Sequence, residues 1–340
     1  MVQFHQVSMI NPFNSLIYTL LFTSTIFAIS RTNWLFIWII LELNLLAFIP
    51  LMVSSSTFQE TEASVKYFLI QALGSRLLLI SRLILIFNSF PTLIRYTILT
   101  LRLSLKIGLA PLHIWYPSVI SSITWINCFL LSTWQKLAPL LYLAIIISQN
   151  TKYIFILLAA TSALTGGLLG INQRKLRSII AYSSITHLGW IIALIIYRPV
   201  ISIIYFTLYT IIILPLFIIF NLTNIFSISN NPFTINTNYK IQIIVPLLLL
   251  SLRGIQPLTG FIPKWITIIL LAGPNPILLL LLIIGSLIRT YYYLSLIFTR
   301  LINFIINIKS RPSILSHYPK FIIVLISRRF LILIPFIVII

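Results

Sequence analysis

Apolar runs long enough to cross a membrane follow one another along almost the whole chain. A bilayer core takes about 20 apolar helical residues to span. Eleven segments meet that length: 12–29, 33–53, 63–88, 92–116, 120–148, 153–170, 174–197, 200–226, 241–271, 276–305 and 320–340. In lipid each backbone polar group must be satisfied within its own segment or a closed barrel, so runs of this length are helices. The longest stretches between them, 54–61, 227–239 and 306–319, are rich in Ser, Asn, Thr or Pro, as turns require. None has room for a soluble domain. The expected fold is an all-α integral membrane protein of about eleven transmembrane helices, one polytopic domain over 1–340.

Composition agrees. The chain is 59% hydrophobic and 8% charged, where soluble domains carry about 25% charged residues. A formal net charge of +20 ordinarily points to nucleic acid. Here the basic residues are scattered through apolar helices and short loops, so no nucleic-acid role is expected. A lone cysteine, Cys128, excludes an internal disulfide framework and a cysteine-built metal site. No dinucleotide fingerprint, cysteine cluster or haem-ligand pair is present. The opening residues lack the charged start of a signal peptide and the Arg-rich pattern of a transit peptide, so the first span is expected to direct its own insertion.

An odd number of spans places the termini on opposite faces. Arg174, Lys175, Arg177, Lys240, Lys309, Arg311 and Lys320 then share the N-terminal face, against mainly Arg31, Arg95, Lys152 and Arg198 on the other. The positive-inside rule therefore puts the N-terminus inside and the C-terminus outside.

Only three residues are acidic, and two of them, Glu60 and Glu62, fall in a stretch expected to be a polar loop. The third, Glu42, lies mid-way along the span 33–53. Lys106, Lys136, His187 and Lys264 hold similar positions in four other apolar segments. An ionisable group at bilayer depth costs roughly 2.5–3.5 kcal/mol on insertion scales, and is retained where it pairs, faces a bundle interior or touches water. Five such groups suggest a route for charge through a membrane.

Two spans are interrupted. One reads LSLKIGLAPL over 103–112; the other reads LSLRGIQPL over 250–258, then TGFIPKW over 259–265. Gly and Pro inside an apolar span free backbone groups and break the helix. Broken helices in corresponding positions of two halves point to a transporter-like site at the midplane. A lysine stands beside each break.

Six motifs carry a resemblance: WIILELNLLAFIP at 38–50; EASVKYFL at 62–69 with QAL at 71–73; KIGLAPLHIW at 106–115; TWQKLAP at 133–139; RKLRSIIAYSSITHLGW at 174–190; and GFIPKW at 260–265. Together, and in this order, they resemble the subunit 2 family of mitochondrial NADH dehydrogenase (respiratory complex I), in its shortened animal form. The resemblance implies an antiporter-like fold of two inverted five-helix repeats, each with a broken helix, over about 12–148 and 153–305, with a C-terminal helix over 320–340. It implies a buried row of ionisable groups in which Glu42 pairs with Lys106, Lys136 and His187 continue the line, and Lys264 stands at the second break. It places the chain in the mitochondrial inner membrane, N-terminus on the matrix side and C-terminus on the intermembrane-space side. Other membrane subunits of complex I, neighbouring antiporter-like subunits among them, and phospholipid are the implied partners. NADH, FMN, iron–sulfur clusters and ubiquinone are implied on partner subunits, with no cofactor in this chain.

Chemically, such a row can hand protons along. Desolvation favours the neutral form of an amine and a nearby carboxylate favours the charged form; histidine titrates near neutrality and suits an intermediate place. Breaking a buried ion pair costs roughly 3–5 kcal/mol, enough to couple a proton to a conformational change. Blander readings stand beside these: Glu42 as an interhelical polar anchor, Lys106 and Lys264 as snorkelling cations, Lys136 as a helix-bend residue near Pro139, and His187 as a hydrogen-bonded bundle residue. His113 reads as interfacial or as a secondary path member, Lys66 as a surface charge. A cation/proton antiporter subunit without redox partners and a purely structural scaffold are the alternative functions. Arg76, Arg82, Arg102, Arg253, Arg289, Arg328 and Arg329 fit none of this, and methionine is scarce at three residues. Translation with the wrong mitochondrial code, giving Arg for Ser and Ile for Met, explains both; contacts with acidic neighbours or lipid headgroups are the other explanation for the arginines.

Overall fold

The computed structural model describes residues 12–31, 33–54, 57–86, 92–147, 151–223 and 239–310. Among them every regular element is a helix. The expected helix 320–340 and the arginines at 328 and 329 lie outside the described residues.

The chain forms two compact units. The first comprises 1–108 and 112–151, the second 109–111 and 152–340. The first unit holds α1 (Pro12–Ser30), α2 (Trp34–Met52), α3 (Phe58–Ile86), α4 (Thr92–Ile107), α5 (Trp115–Ile120), α6 (Trp125–Ser132) and α7 (Trp134–Ile146). The second holds α8 (Lys152–Gly170), α9 (Leu176–Tyr197), α10 (Pro199–Thr223), α11 (Tyr239–Arg253), α12 (Phe261–Ala272) and α13 (Pro276–Ser310). Eight segments among the described residues are long and apolar enough to cross a membrane, and two shorter apolar helices, Ile244–Arg253 and Phe261–Ala272, flank the second break.

Several expected boundaries move. Asn33 caps α2 by accepting from the Leu35 N–H at 3.1 Å, as its residue type favours. The predicted loop at 54–61 is shorter, because α3 already starts at Phe58 on backbone bonds from Glu60 and Thr61 to the Thr57 carbonyl. Glu60 and Glu62 are therefore helical. Glu62 pairs with Lys66 one turn on, at 2.6 Å, with both side chains about half exposed. The span expected over 120–148 starts at Trp125 and is interrupted at Thr133, where φ −119° and ψ −73° separate α6 from α7.

In the first unit, α2 packs on α1 and α3, α3 on α4, and α4 on α7. Asn127 Nδ2 on α6 donates to the Leu51 carbonyl of α2, and Tyr142 on α7 donates to the Ala28 carbonyl of α1. In the second unit α9 is the central helix. It is buried along almost its whole length and contacts α8, α10, α12 and α13, as a helix apolar on all sides should be. Small residues set the spacing there, as they do between helices in lipid, where close backbone approach replaces the hydrophobic effect. A Cβ on Gly166 of α8 would lie 2.7 Å from Thr186 Cγ2, and one on Gly285 of α13 would lie 2.5 Å from the Ala163 carbonyl. Leu16, Leu20 and Phe27 of α1, Leu157 of α8, Ile203 of α10 and Leu280 of α13 are exposed, a surface suited to lipid.

The two breaks are built alike. α4 stops at Ile107 and Gly108 follows at φ 79°, its N–H shared between the Ser104 and Leu105 carbonyls. α11 stops at Arg253 and Gly254 follows at φ 75°, its N–H shared between the Leu250 and Ser251 carbonyls. This left-handed backbone suits glycine because it has no Cβ to clash. Three residues past each glycine comes a cis proline, Pro111 and Pro257.

Candidate functional site

Each break leaves carbonyls without helical partners, and side chains take them up. At the first break, Trp115 Nε1 donates to the Leu105 carbonyl and Gln71 Nε2 to the Lys106 carbonyl, both at 3.1 Å. At the second, Lys264 Nζ reaches back from α12 to the Arg253 carbonyl at 2.5 Å. Lys264 is thus tied directly to the broken backbone, whereas the Lys106 side chain leaves the break and enters a cavity.

That cavity lies inside the first unit and has a volume of about 30 Å³. A water molecule needs roughly 10–15 Å³ on this measure, so the space holds one or two. Lys106 and Lys136 both line it, with Tyr67, Gln71, Tyr116 and Gln135 among the polar side chains around them. Lys106 is 7% and Lys136 2% exposed, so neither reaches a surface as a snorkelling lysine does. Lys136 Nζ donates to the Tyr116 hydroxyl at 2.8 Å. Its neighbour Gln135 donates to Asn44 Oδ1 on α2 at 2.9 Å. Lys136 also sits in the first turn after the Thr133 interruption, so the bend and the buried amine coexist.

Glu42 is half-buried. Its Oε1 accepts a hydrogen bond from Ser75 Oγ on α3. Glu42 lies near enough for its charge to be felt at Lys106, yet among the described residues the two form no ion pair. The expected pair is separated, with the carboxylate held by a hydroxyl. The Lys106 stem crosses α3 one residue away: a Cβ on Gly74 would lie 3.3 Å from Lys106 Cγ.

In the second unit, His187 on α9 is buried, with Nδ1 3.0 Å from the Tyr205 hydroxyl of α10 and its ring 4.9 Å from that of Tyr209. Lys264 Nζ lies 5.9 Å from the centroid of Trp190, one turn along α9 from His187. Arg289 of α13 is fully buried and donates to Thr186 Oγ1 at 2.8 Å. The other charges felt at Lys264 are Arg289 and Arg253, both positive. His113, read as interfacial or as a secondary path member, is buried at 6% exposure. Lys66 is on the surface, as expected. Among the described residues no group of three or more His, Cys, Asp or Glu side chains could hold a metal ion.

Sequence reasoning missed Ser75, Tyr116 and Tyr205. Each is a hydroxyl in an otherwise apolar stretch. Such residues are common in spanning helices, and nothing in one sequence marks those that meet a charged partner on another helix.

The pattern of the family described as "NADH:quinone oxidoreductase/Mrp antiporter, TM" matches residues 31–289. NADH-ubiquinone oxidoreductase chain 2 of Lumbricus terrestris is 44% identical over 290 residues, 84% of this chain and 86% of the relative. A chain of respiratory complex I from Thermus thermophilus with bound aureothin superposes with a TM-score of 0.77 at 21% identity, over 95% of this chain and 78% of that one. A chain of the membrane-bound sulfane sulfur reductase, an archaeal respiratory membrane complex, gives 0.82 at 17% identity, over 98% and 75%. These two structural likenesses carry the fold.

Proposed function

The chain belongs to the NADH:quinone oxidoreductase/Mrp antiporter membrane family and, within it, to the NADH-ubiquinone oxidoreductase chain 2 proteins; from that premise we propose that it is a core membrane subunit of respiratory NADH:ubiquinone oxidoreductase and moves protons through buried Glu, Lys and His side chains. The observation that carries this is the water-sized cavity shared by Lys106 and Lys136 in an apolar interior. Two amines with hydroxyl and amide partners around one cavity can exchange a proton through a water, because each can be donor in one state and acceptor in the other.

Glu42 sets the charge balance at Lys106. His187 and Lys264 form the corresponding group of the second unit, with Tyr205 and Trp190 beside them. The work is vectorial: NADH, FMN, iron–sulfur clusters and ubiquinone belong to partner subunits, and this chain carries none. The matching glycine–proline breaks support two repeats, over about 12–148 and 153–305. The basic residues near 174–177 support an N-terminus on the matrix side of the mitochondrial inner membrane. Neighbouring antiporter-like subunits and phospholipid complete its surroundings. The family name also embraces Mrp antiporters, but the 44% relative is an oxidoreductase chain, and that favours the respiratory role.

The test is Lys106→Met in the assembled complex reconstituted into liposomes. Assembly and NADH-driven electron entry are expected to persist while coupled proton translocation is lost. Pumping at the unmodified rate would contradict the scheme.

A further inference from the structure

We propose that Ser75 is a positioning residue for Glu42, a hydroxyl latch that holds the carboxylate off Lys106 in one state and lets it go in the other. This rests on the proton-moving role given above to Glu42 and Lys106. Three observations converge on one point of α3. Ser75 is fully buried and donates to Glu42 Oε1. The preceding residue, Gly74, is where the Lys106 stem lies against α3. And Glu42 and Lys106, close enough to feel each other, make no ion pair.

A hydroxyl has a single proton to donate, and Ser75 Oγ has two acceptors in reach. One is Glu42 Oε1; the other is the Ala72 carbonyl of its own helix, at 2.8 Å. When Glu42 turns to the Lys106 ammonium, or takes up a proton, Ser75 falls back on Ala72 and stays satisfied. Neither position leaves a buried donor unpaired, so exchange between them is reversible. An alanine here would remove the hydroxyl that holds Glu42 and bias the carboxylate towards Lys106.

Ser75→Ala, Ser75→Thr and Ser75→Cys in the assembled complex test this, with Lys106→Met as the control for the underlying reading. Proton uptake per NADH oxidised is measured across pH in proteoliposomes. Ser75→Ala is expected to lower the ratio at least about threefold and to move the pH of half-maximal pumping by about one unit, a tenfold change in proton concentration. Ser75→Thr, which keeps the hydroxyl, should restore both. If Ser75→Ala fails to assemble, Ser75→Cys carries the measurement, since it keeps the volume and weakens the donor. An unchanged ratio and pH profile in an assembled Ala or Cys variant overturns the latch. Unchanged pumping in Lys106→Met overturns the reading beneath it instead.

A separate observation carries a second inference: we infer that the positions occupied by Arg102, Arg253 and Arg289 hold serine in the protein made in the organelle. Arg289 is fully buried and Arg102 is 7% exposed. Each of the three guanidinium groups keeps a buried nitrogen without a hydrogen-bond partner. The second unit contains no acidic residue at all, so Arg253 and Arg289 have no carboxylate there to pair with. Buried cations without a counter-ion are among the least tolerated groups in a protein interior. A serine side chain needs only a helix carbonyl, as Ser251 already shows with the Leu248 carbonyl at 2.7 Å. Mass spectrometry of chymotryptic peptides from the native organelle decides it. Serine at all three positions supports the inference, and arginine at any one overturns it.

Discussion

Lys136 Nζ donates to the Tyr116 hydroxyl at 2.8 Å and lies 4.0 Å from the centroid of the same ring. One side chain thus offers the amine two kinds of support, an acceptor oxygen and an electron-rich face. Tyr116→Phe keeps the ring and removes the oxygen. A hydrogen bond to a charged group contributes roughly 1.5–3 kcal/mol, which is about tenfold or more in rate. The rate of NADH-driven proton uptake should fall by that factor in an assembled complex. An unaffected rate would show that the hydroxyl has no part in transfer.

Lys264 fastens the second break through the Arg253 carbonyl, so its loss should be structural as well as functional. Lys264→Met is expected to lower both pumping and the thermal stability of the assembled complex. Lys106→Met, whose amine points into a cavity instead, should lower pumping alone. Equal stability of the two variants would contradict this division.

His187→Leu removes the ring nitrogen that lies 3.0 Å from the Tyr205 hydroxyl. If the histidine relays protons, pumping should drop about a hundredfold or more, as loss of a general acid–base group does. A loss of stability with pumping per complex intact would instead favour its reading as a hydrogen-bonded bundle residue.

Gly285→Val should prevent α13 from seating, because even its Cβ would fall 2.5 Å from the Ala163 carbonyl. Overpacking of this kind typically costs about 1–3 kcal/mol, occasionally more, and the clash here is with backbone. Gly273→Ala is the control, since nothing lies within 4 Å of its added Cβ. Complex yield on native gels should separate the two; normal assembly of Gly285→Val would refute the close-packed seam.

The helical fold and both breaks were legible in the sequence, because bilayer thickness sets segment length and Gly–Pro pairs interrupt a helix wherever they stand. The buried placement of Lys106, Lys136, His187 and Lys264 was legible for a similar reason, since an ionisable group in an apolar run must turn inwards. Partners were not. The pairing of Glu42 with Lys106 was expected only from the family resemblance. Ser75, which takes the carboxylate instead, comes from a helix whose rotation no single sequence specifies. The Thr133 interruption was hidden too, because Trp125 to Ile146 is long enough to span and carries no glycine, and its one proline, Pro139, stands inside α7 rather than at the break. Helix starts such as Phe58 were placed late because Ser and Thr serve equally in a loop and just before a helix.

Central to all of this is water between two amines. A map of the assembled complex fine enough to show ordered solvent tests it most directly. One or two waters bridging Lys106 and Lys136, within hydrogen-bond distance of Tyr116 or Gln71, are what the proton route requires. A dry cavity between them, or one filled by a lipid tail or an apolar side chain, would contradict it.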